Sequence, residues 1–410
     1  MELRGARSGA PVHRSGAGLG ALRIVVAVDF LVFGLTFPIL PLYARHLGLP
    51  VVAVGALVAT YSLAQLLAAP AWGRVSDRLG RRSALLASLA GSAASSLLIA
   101  LAPAGSFLFV AVAVNGASGG SIAVAQASVV DVVPPADQSR ALGLLGAGIA
   151  AGFVLGPGLA GLAALGGARL PFVLAAVLAA ANAAYGTRHL PETRPAAASG
   201  SAASDPLRST VPSGRVARAE LLGVVGLAAG AFGIFEATFA LVGRRHFGFG
   251  ESGAGLCFAL VGLSMAFAQA RGVGPLARRL GPARTALAGG VAFAVGLVCV
   301  ALWASWWTLA VGLALVGAGN GVISPVVVPA LARSAPAAGR GALLGRQQAV
   351  VSSARILGPL LGGIVLAGSG TLATYALAAA VVLAALGLVG SRRARALLGA
   401  TSAALAPLAR

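Results

Sequence analysis

Lysine is absent: all 30 basic side chains are arginine, and only ten residues are acidic. Charged residues make up 10% of the 410-residue chain, against about 25% in an average soluble domain. That shortage excludes an ordinary water-soluble fold, whose surface has to be solvated by charge. Both cysteines, Cys257 and Cys299, fall inside apolar runs, so neither a disulfide framework nor a metal site is indicated. The histidines (His13, His46, His189, His246) stand at run ends or in tails without ligand spacing, so neither a metal nor a cofactor is expected. The apolar runs contain no Ser/His/Asp set and the chain has no phosphate-binding glycine loop, which argues against a membrane enzyme or an ATP-driven pump.

What is present is apolar: 58% hydrophobic residues and a mean hydropathy of +0.92. Twelve runs, near 22–43, 51–72, 83–102, 106–129, 142–164, 170–188, 221–242, 252–273, 285–304, 307–331, 343–367 and 371–390, are each about long enough to cross a bilayer. Lipid offers the backbone no hydrogen bonds, so each run is predicted to be a helix. The first is too long for a cleavable leader and carries Asp29 and two prolines, so none is expected. A net charge of +20 would suit nucleic acid, but the arginines lie in short segments between the runs. They read as topology signals and anionic-lipid contacts. Twenty-five fall on one side, and Arg45, Arg169, Arg244 and Arg245 on the other, while Arg355 lies within a run. This asymmetry predicts both termini in the cytoplasm. Abundant Ala and Gly without lysine points to a GC-rich genome, and a prokaryotic inner membrane is the expected location.

The predicted organisation is a tail (1–21), a six-helix half (22–190), a Pro/Ser/Ala/Arg-rich linker (191–219), a second six-helix half (220–390) and a tail (391–410). The halves repeat one another. Gly274-Pro-Leu-Ala-Arg-Arg279-Leu280-Gly281 echoes Gly73-Arg-Val-Ser-Asp77-Arg78-Leu79-Gly80, and Gly358-Pro359-Leu-Leu-Gly362-Gly363 echoes Gly156-Pro157-Gly-Leu-Ala160-Gly161. Asn320-Gly321 echoes Asn115-Gly116. Transporter folds are built from such repeats, with the substrate site at the midplane between them.

The stretch Gly73, Arg74, Asp77, Arg78, Gly80, Arg81, Arg82 cannot lie in hydrocarbon and is read as a tight loop in which Gly73 and Gly80 permit the reversal. It resembles the loop between helices 2 and 3 of the major facilitator superfamily, G-x-x-[SA]-D-R-x-G-R-R. The resemblance implies an all-α membrane fold of twelve helices in two pseudo-symmetric bundles, with the loop latching the two halves at the inner gate. The segment Asp131-Val-Val-Pro-Pro-Ala-Asp-Gln-Ser-Arg140 resembles the partner gate loop, so Asp131 and Arg140 are expected to join Asp77. Leu190-Pro-Glu-Thr193 resembles the end of the family's sixth helix.

Two acids stand inside apolar runs, Asp29 and Glu236, each costing about 2.5–3.5 kcal/mol on insertion scales if ionised. Asp29 shares a helical face with Phe33, Thr36 and Phe37; Glu236 shares one with Phe232, Phe239 and Ala240. An acid beside aromatic rings suits a lipophilic cation; a structural ion pair is the plainer reading of each. Arg355 is the one base within a run, either counter-ion to one of these acids, part of an anion site, or structural. Gln65, Asn115, Gln126, Asn182, Gln269 and Asn320 either line a cavity or bond between helices.

Helix 1, with Asp29, Gly34, Pro38, Pro41 and Tyr43 in order, resembles the first helix of drug:proton antiporters such as the tetracycline exporters. Helix 5 carries Gly143-x8-Gly152-x3-Gly156-Pro157-x2-Ala160-Gly161, which departs only at Ala160 from the antiporter pattern G-x8-G-x3-G-P-x2-G-G. Generic small-residue packing would give similar spacing. Helix 4 departs further, with Val112 where many antiporters have an arginine. The resemblance implies an exporter that exchanges protons for drugs or other small molecules by alternating access, with Asp29 in substrate or proton handling; a monomer is expected. A sugar or amino-acid exporter on the same scaffold is the alternative; a non-transporting membrane sensor is a distant one.

Overall fold

A computed structural model describes residues 13–133, 135–192, 215–302, 305–335 and 340–403. The described residues form helices and no strand. The helices are α1 (His13–Thr36), α2 (Leu40–His46), α3 (Val51–Leu79), α4 (Arg81–Ala100), α5 (Gly105–Ala117), α6 (Ser121–Val132), α7 (Pro135–Ala163), α8 (Leu170–His189), α9 (Arg215–Phe247), α10 (Glu251–Phe267), α11 (Val273–Leu280), α12 (Pro282–Leu302), α13 (Trp306–Arg333), α14 (Arg340–Val389) and α15 (Arg392–Ala403). Residues 1–12 of the expected N-terminal tail, 193–214 of the linker and 404–410 of the C-terminal tail lie outside the described residues.

Eleven stretches of the described residues are long and apolar enough to cross a membrane, and the last accounts for two spans. At 1.5 Å per residue, the 50 residues of α14 would run about 75 Å if straight, more than twice a bilayer's hydrocarbon. Gly370, at φ 79°, breaks it into two limbs, which brings the spans to the predicted twelve. Two other runs are interrupted. The fourth is split into α5 and α6 at Ser118–Gly120, and the eighth joins α10 to α11 through a π-helical turn, Ala268–Gly272. The first run stops at Thr36 because Pro38 and Pro41 cannot donate to a continuing ladder; the chain resumes as α2.

The charged stretch corrects one expectation. Residues 73–79 are the last turns of α3, and Arg81 already opens α4, so the turn is Gly80 alone, at φ 95°. Gly73 sits within the helix with open space where a Cβ would be and makes no reversal. Gly281, at φ 79°, turns the chain at the repeat-related place after α11.

Helices α1–α8 form one half and α9–α14 the other. Between them, α3 packs on α14, and α7 packs on α10. A two-fold that exchanges the halves would exchange these two contacts, so the sequence repeat is expressed in the packing. Both contacts are made by glycines at the end of the molecule opposite the arginine-rich loops. A Cβ on Gly255 would lie 2.7 Å from the Gly161 Cα, and one on Gly363 would lie 3.1 Å from the Gly55 Cα. Beyond the predicted spans, α15 lies against α9, α12 and α13, with its own Ala394 and Leu398 buried.

Candidate functional site

A cavity of about 390 Å³, within the range of small-molecule sites, opens between the halves. From the first half it is walled by Phe33, Gly34, Ile149 and Phe153, and from the second by Phe232, Phe258, Met265, Gln269, Asn320 and Gln347. Glu236 and Arg355 face each other across its wall, Oε2 to Nη2, at 3.5 Å. Local sequence explains the pair. Gly358 and Gly230 bring the α9 and α14 backbones into contact, since a Cβ on Gly358 would fall 3.1 Å from the Gly230 carbonyl carbon. Glu236 is buried, whereas a third of the Arg355 side chain is accessible. The wall is therefore polar but carries no uncompensated charge.

Asp29 lies elsewhere. It lines a separate chamber of about 40 Å³ inside the first half, with Tyr61, Gln65, Ser92, Asn115 and Ser121. The break between α5 and α6 builds this chamber. Gly119 and Gly120 are poor helix formers, and the carbonyls freed there are met by side chains. Trp72 Nε1 donates to the Ala117 carbonyl at 2.7 Å, and Ser88 Oγ donates to that of Ser118 at 2.5 Å. The break leaves Ser121 as the first residue of α6, and its hydroxyl donates to Asp29 Oδ2 at 2.5 Å. The carboxylate thus sits at the positive end of a helix dipole, where a negative charge is favoured. Phe33, one turn beyond Asp29 on α1, lines both cavities.

At the arginine-rich end, Arg81 is the hub. Its Nε donates to Asp131 Oδ2 at 2.8 Å, and its Nη1 reaches Asp77 Oδ1 at 2.9 Å and Ser76 Oγ at 2.7 Å. Its backbone N–H donates to Glu192 Oε1 at 2.9 Å, which caps the start of α4. Arg82 Nη2 donates to the Thr187 carbonyl at 2.5 Å. Asp131, Asp77, Ser76 and Thr187 belong to the first half, and Glu192 opens the linker.

The sequence model of the Major Facilitator Superfamily matches residues 22–271 and 221–409, two overlapping stretches that together cover both halves. The chain belongs to the Major Facilitator Superfamily. It is 33% identical to the class G tetracycline resistance protein of Vibrio anguillarum, over 82% of this chain and 87% of the relative. It is 32% identical to the class C tetracycline resistance protein of Escherichia coli, over 84% of this chain and 88% of the relative. Among solved structures, the human organic anion transporter MFSD10 is similar in fold, at a TM-score of 0.67 and 24% identity, covering 92% of this chain and 99% of that one.

Within this superfamily fold the residues singled out from the sequence divide by place. Phe33, Phe232, Glu236, Gln269, Asn320 and Arg355 line the main cavity, and Asp29, Gln65 and Asn115 line the chamber. Two expected cavity residues are buried instead. Phe37 stacks on Phe33 and meets Tyr61 edge-on, and Phe239 packs among Phe235, Phe249 and Phe258. Gln126 is exposed and lines neither cavity. Asn182 bonds between helices, its Nδ2 donating to the Val25 carbonyl at 2.9 Å. In the helix 5 motif, Gly152 and Gly156 face α1, where a Cβ on Gly156 would fall 2.6 Å from the Gly34 Cα; Pro157 faces the cavity and Gly161 the other half. Gly143 has open space around it. The Arg140 side chain lies outside the described residues. Sequence reasoning missed Phe153, Met265, Ser121 and Gln347. Gly119-Gly120 inside an apolar run was the readable signal for the chamber.

Proposed function

We propose that the protein is a proton-coupled exporter of drugs working by alternating access, described here with its central cavity open toward the cytoplasm. The observation that carries the reading is the separation of two intramembrane acids into two chambers that share Phe33 as a wall. One chamber has room for a proton and water and no more; the other has room for a small molecule. The tetracycline-resistance relatives support the drug class. The arginine asymmetry supports a cytoplasmic placement of the arginine-rich end and of both termini, in the membrane of a bacterium. The main cavity extends toward that end, along the early turns of α7 (Gly146, Ile149), α9 (Val225, Ala228) and α14 (Gln347, Val351). The glycine contacts between the halves close the other.

In this reading Asp29 is the proton carrier. Ionised, it only accepts hydrogen bonds and is held by Ser121 and the α6 dipole; protonated, it also donates and loses the charge that the dipole favours. The change alters how α1 sits against α6, and Phe33 carries it to the substrate wall. A proton arriving from outside then favours substrate release outward, and its loss to the cytoplasm resets the carrier. The substrate is an amphiphile. Phe33, Phe153, Phe232 and Phe258 offer ring faces, while Gln269, Asn320 and Gln347 offer donors and acceptors. A lone Glu236 would favour a cation, but its pairing with Arg355 makes that wall suit a molecule bearing both polar signs or none. Asp77, Arg81 and Asp131 form the inner-gate cluster.

The test is proton release from energised everted vesicles on adding tetracycline and a panel of amphiphiles, with wild type and Asp29→Asn side by side. A substrate-induced pH change that is lost in the variant supports the assignment. A response that survives moves the proton to Glu236, and no response with no flux removes drug export.

A further inference from the structure

Alternating access needs something to hold the closed end closed, and the glycine contacts supply only close packing. Among the described residues, His46 makes a polar contact between the halves at that end. It is the last residue of α2, the short helix that follows Pro38 and carries Pro41 in its first turn, and α2 packs against α9 of the other half. Two groups of the second half converge on the imidazole. Glu251, the first residue of α10, places Oε1 2.9 Å from Nδ1, and Arg244, in the last turn of α9, places Nη1 2.6 Å from Nε2. Glu251 Oε1 lies beside Nδ1 without a straight hydrogen bond, so it meets the ring by proximity to an N–H dipole and not as an ion pair. Arg244 can only donate, so Nε2 accepts and the ring proton stands on Nδ1, toward the carboxylate. One imidazole thus connects a cation and an anion of the opposite half. Glu251 is largely buried, which strengthens its attraction to a partner and makes loss of that partner costly. The neighbouring Arg45 is turned away, donating to the Leu49 carbonyl.

From this geometry we infer that His46, Glu251 and Arg244 are the outer latch, three positioning residues that hold the halves together outside while the cavity is open to the cytoplasm. The inference rests on the alternating-access reading given above. The latch touches neither cavity, so it acts on which state is populated and not on substrate contact. It breaks when the outer ends separate, because α2 belongs to one half and both of its partners to the other.

The test is pulsed electron–electron resonance on the full chain with Cys257→Ser and Cys299→Ser. Spin labels are placed at Leu101→Cys and Leu302→Cys for the outer ends, and at Leu79→Cys and Leu280→Cys for the inner ends. All four positions are exposed. Glu251→Gln and His46→Ala are each expected to lengthen the outer distance and shorten the inner one without any ligand. The exchange of His46→Glu with Glu251→His is expected to return both distances to those of wild type. Wild-type distances in both single variants overturn the latch, as does an exchanged pair that purifies monodisperse and stays shifted. If the exchanged pair does not purify, the single variants decide alone. Wild type measured with and without tetracycline addresses the underlying reading separately. Distances that never respond to drug, beside shifted single variants, count against alternating access driven by drug and not against the latch.

Discussion

Asp29 and Glu236 look alike in the sequence, each a lone acid in an apolar run, yet they are stabilised by different means. Glu236 has a cation; Asp29 has a hydroxyl and a helix terminus. Removing Arg355 therefore leaves a buried carboxylate uncompensated. Arg355→Gln is expected to cost about 3 kcal/mol, the lower end for a broken buried pair because the arginine is partly accessible. The double variant Glu236→Gln/Arg355→Gln should recover more than half of that in thermal unfolding in detergent. A single variant as stable as wild type would show that the pair holds nothing. The same logic separates the two acids on Arg81. The Asp77 side chain is 71% exposed and that of Asp131 only 17%, so Asp77→Asn should cost under about 1 kcal/mol and Asp131→Asn more. In transport assays Asp77→Asn should lower turnover more than it weakens substrate binding; unchanged turnover would remove its gate role.

At the scale of the element, the decisive features are interruptions. The α5–α6 break turns an otherwise featureless apolar run into a dipole terminus aimed at Asp29, and it is tolerated because Trp72 and Ser88 satisfy the freed carbonyls. The glycines of α7 are not equivalent. Gly156→Val would drive side-chain atoms into the Gly34 backbone and should cost about 1–3 kcal/mol as an overpacked contact. Gly143→Ala meets nothing within 4 Å and removes a helix-interior glycine, so it should raise the unfolding midpoint slightly. Equal effects at the two sites would mean that the motif acts through backbone flexibility and not through close approach.

For the whole molecule, the two-fold related contacts α3–α14 and α7–α10 join the halves. Because Gly161, Gly255, Gly55 and Gly363 meet on the side away from the arginines, bulk placed there should wedge the outer ends apart. Gly363→Val is expected to lengthen the Leu101–Leu302 label distance and shorten the Leu79–Leu280 distance. Unaltered distances would show that the halves pivot elsewhere.

The sequence by itself determined the spans, the repeat, the family and the two intramembrane acids, because each follows from composition or from spacing along one helix. A charge in a run is costly wherever the run packs, and a repeat is visible without coordinates. Which helix faces which is a property of tertiary structure, and there the expectations moved. Arg355 was open to either acid, and only the Gly230–Gly358 approach of α9 and α14 assigns it to Glu236. Phe37 and Phe239 share helical faces with the acids, but neighbouring helices close over those faces. The contact of His46 with Glu251 and Arg244 joins residues about 200 positions apart, beyond the reach of any local pattern. Local chemistry decides what each helix can carry, and packing decides what it meets.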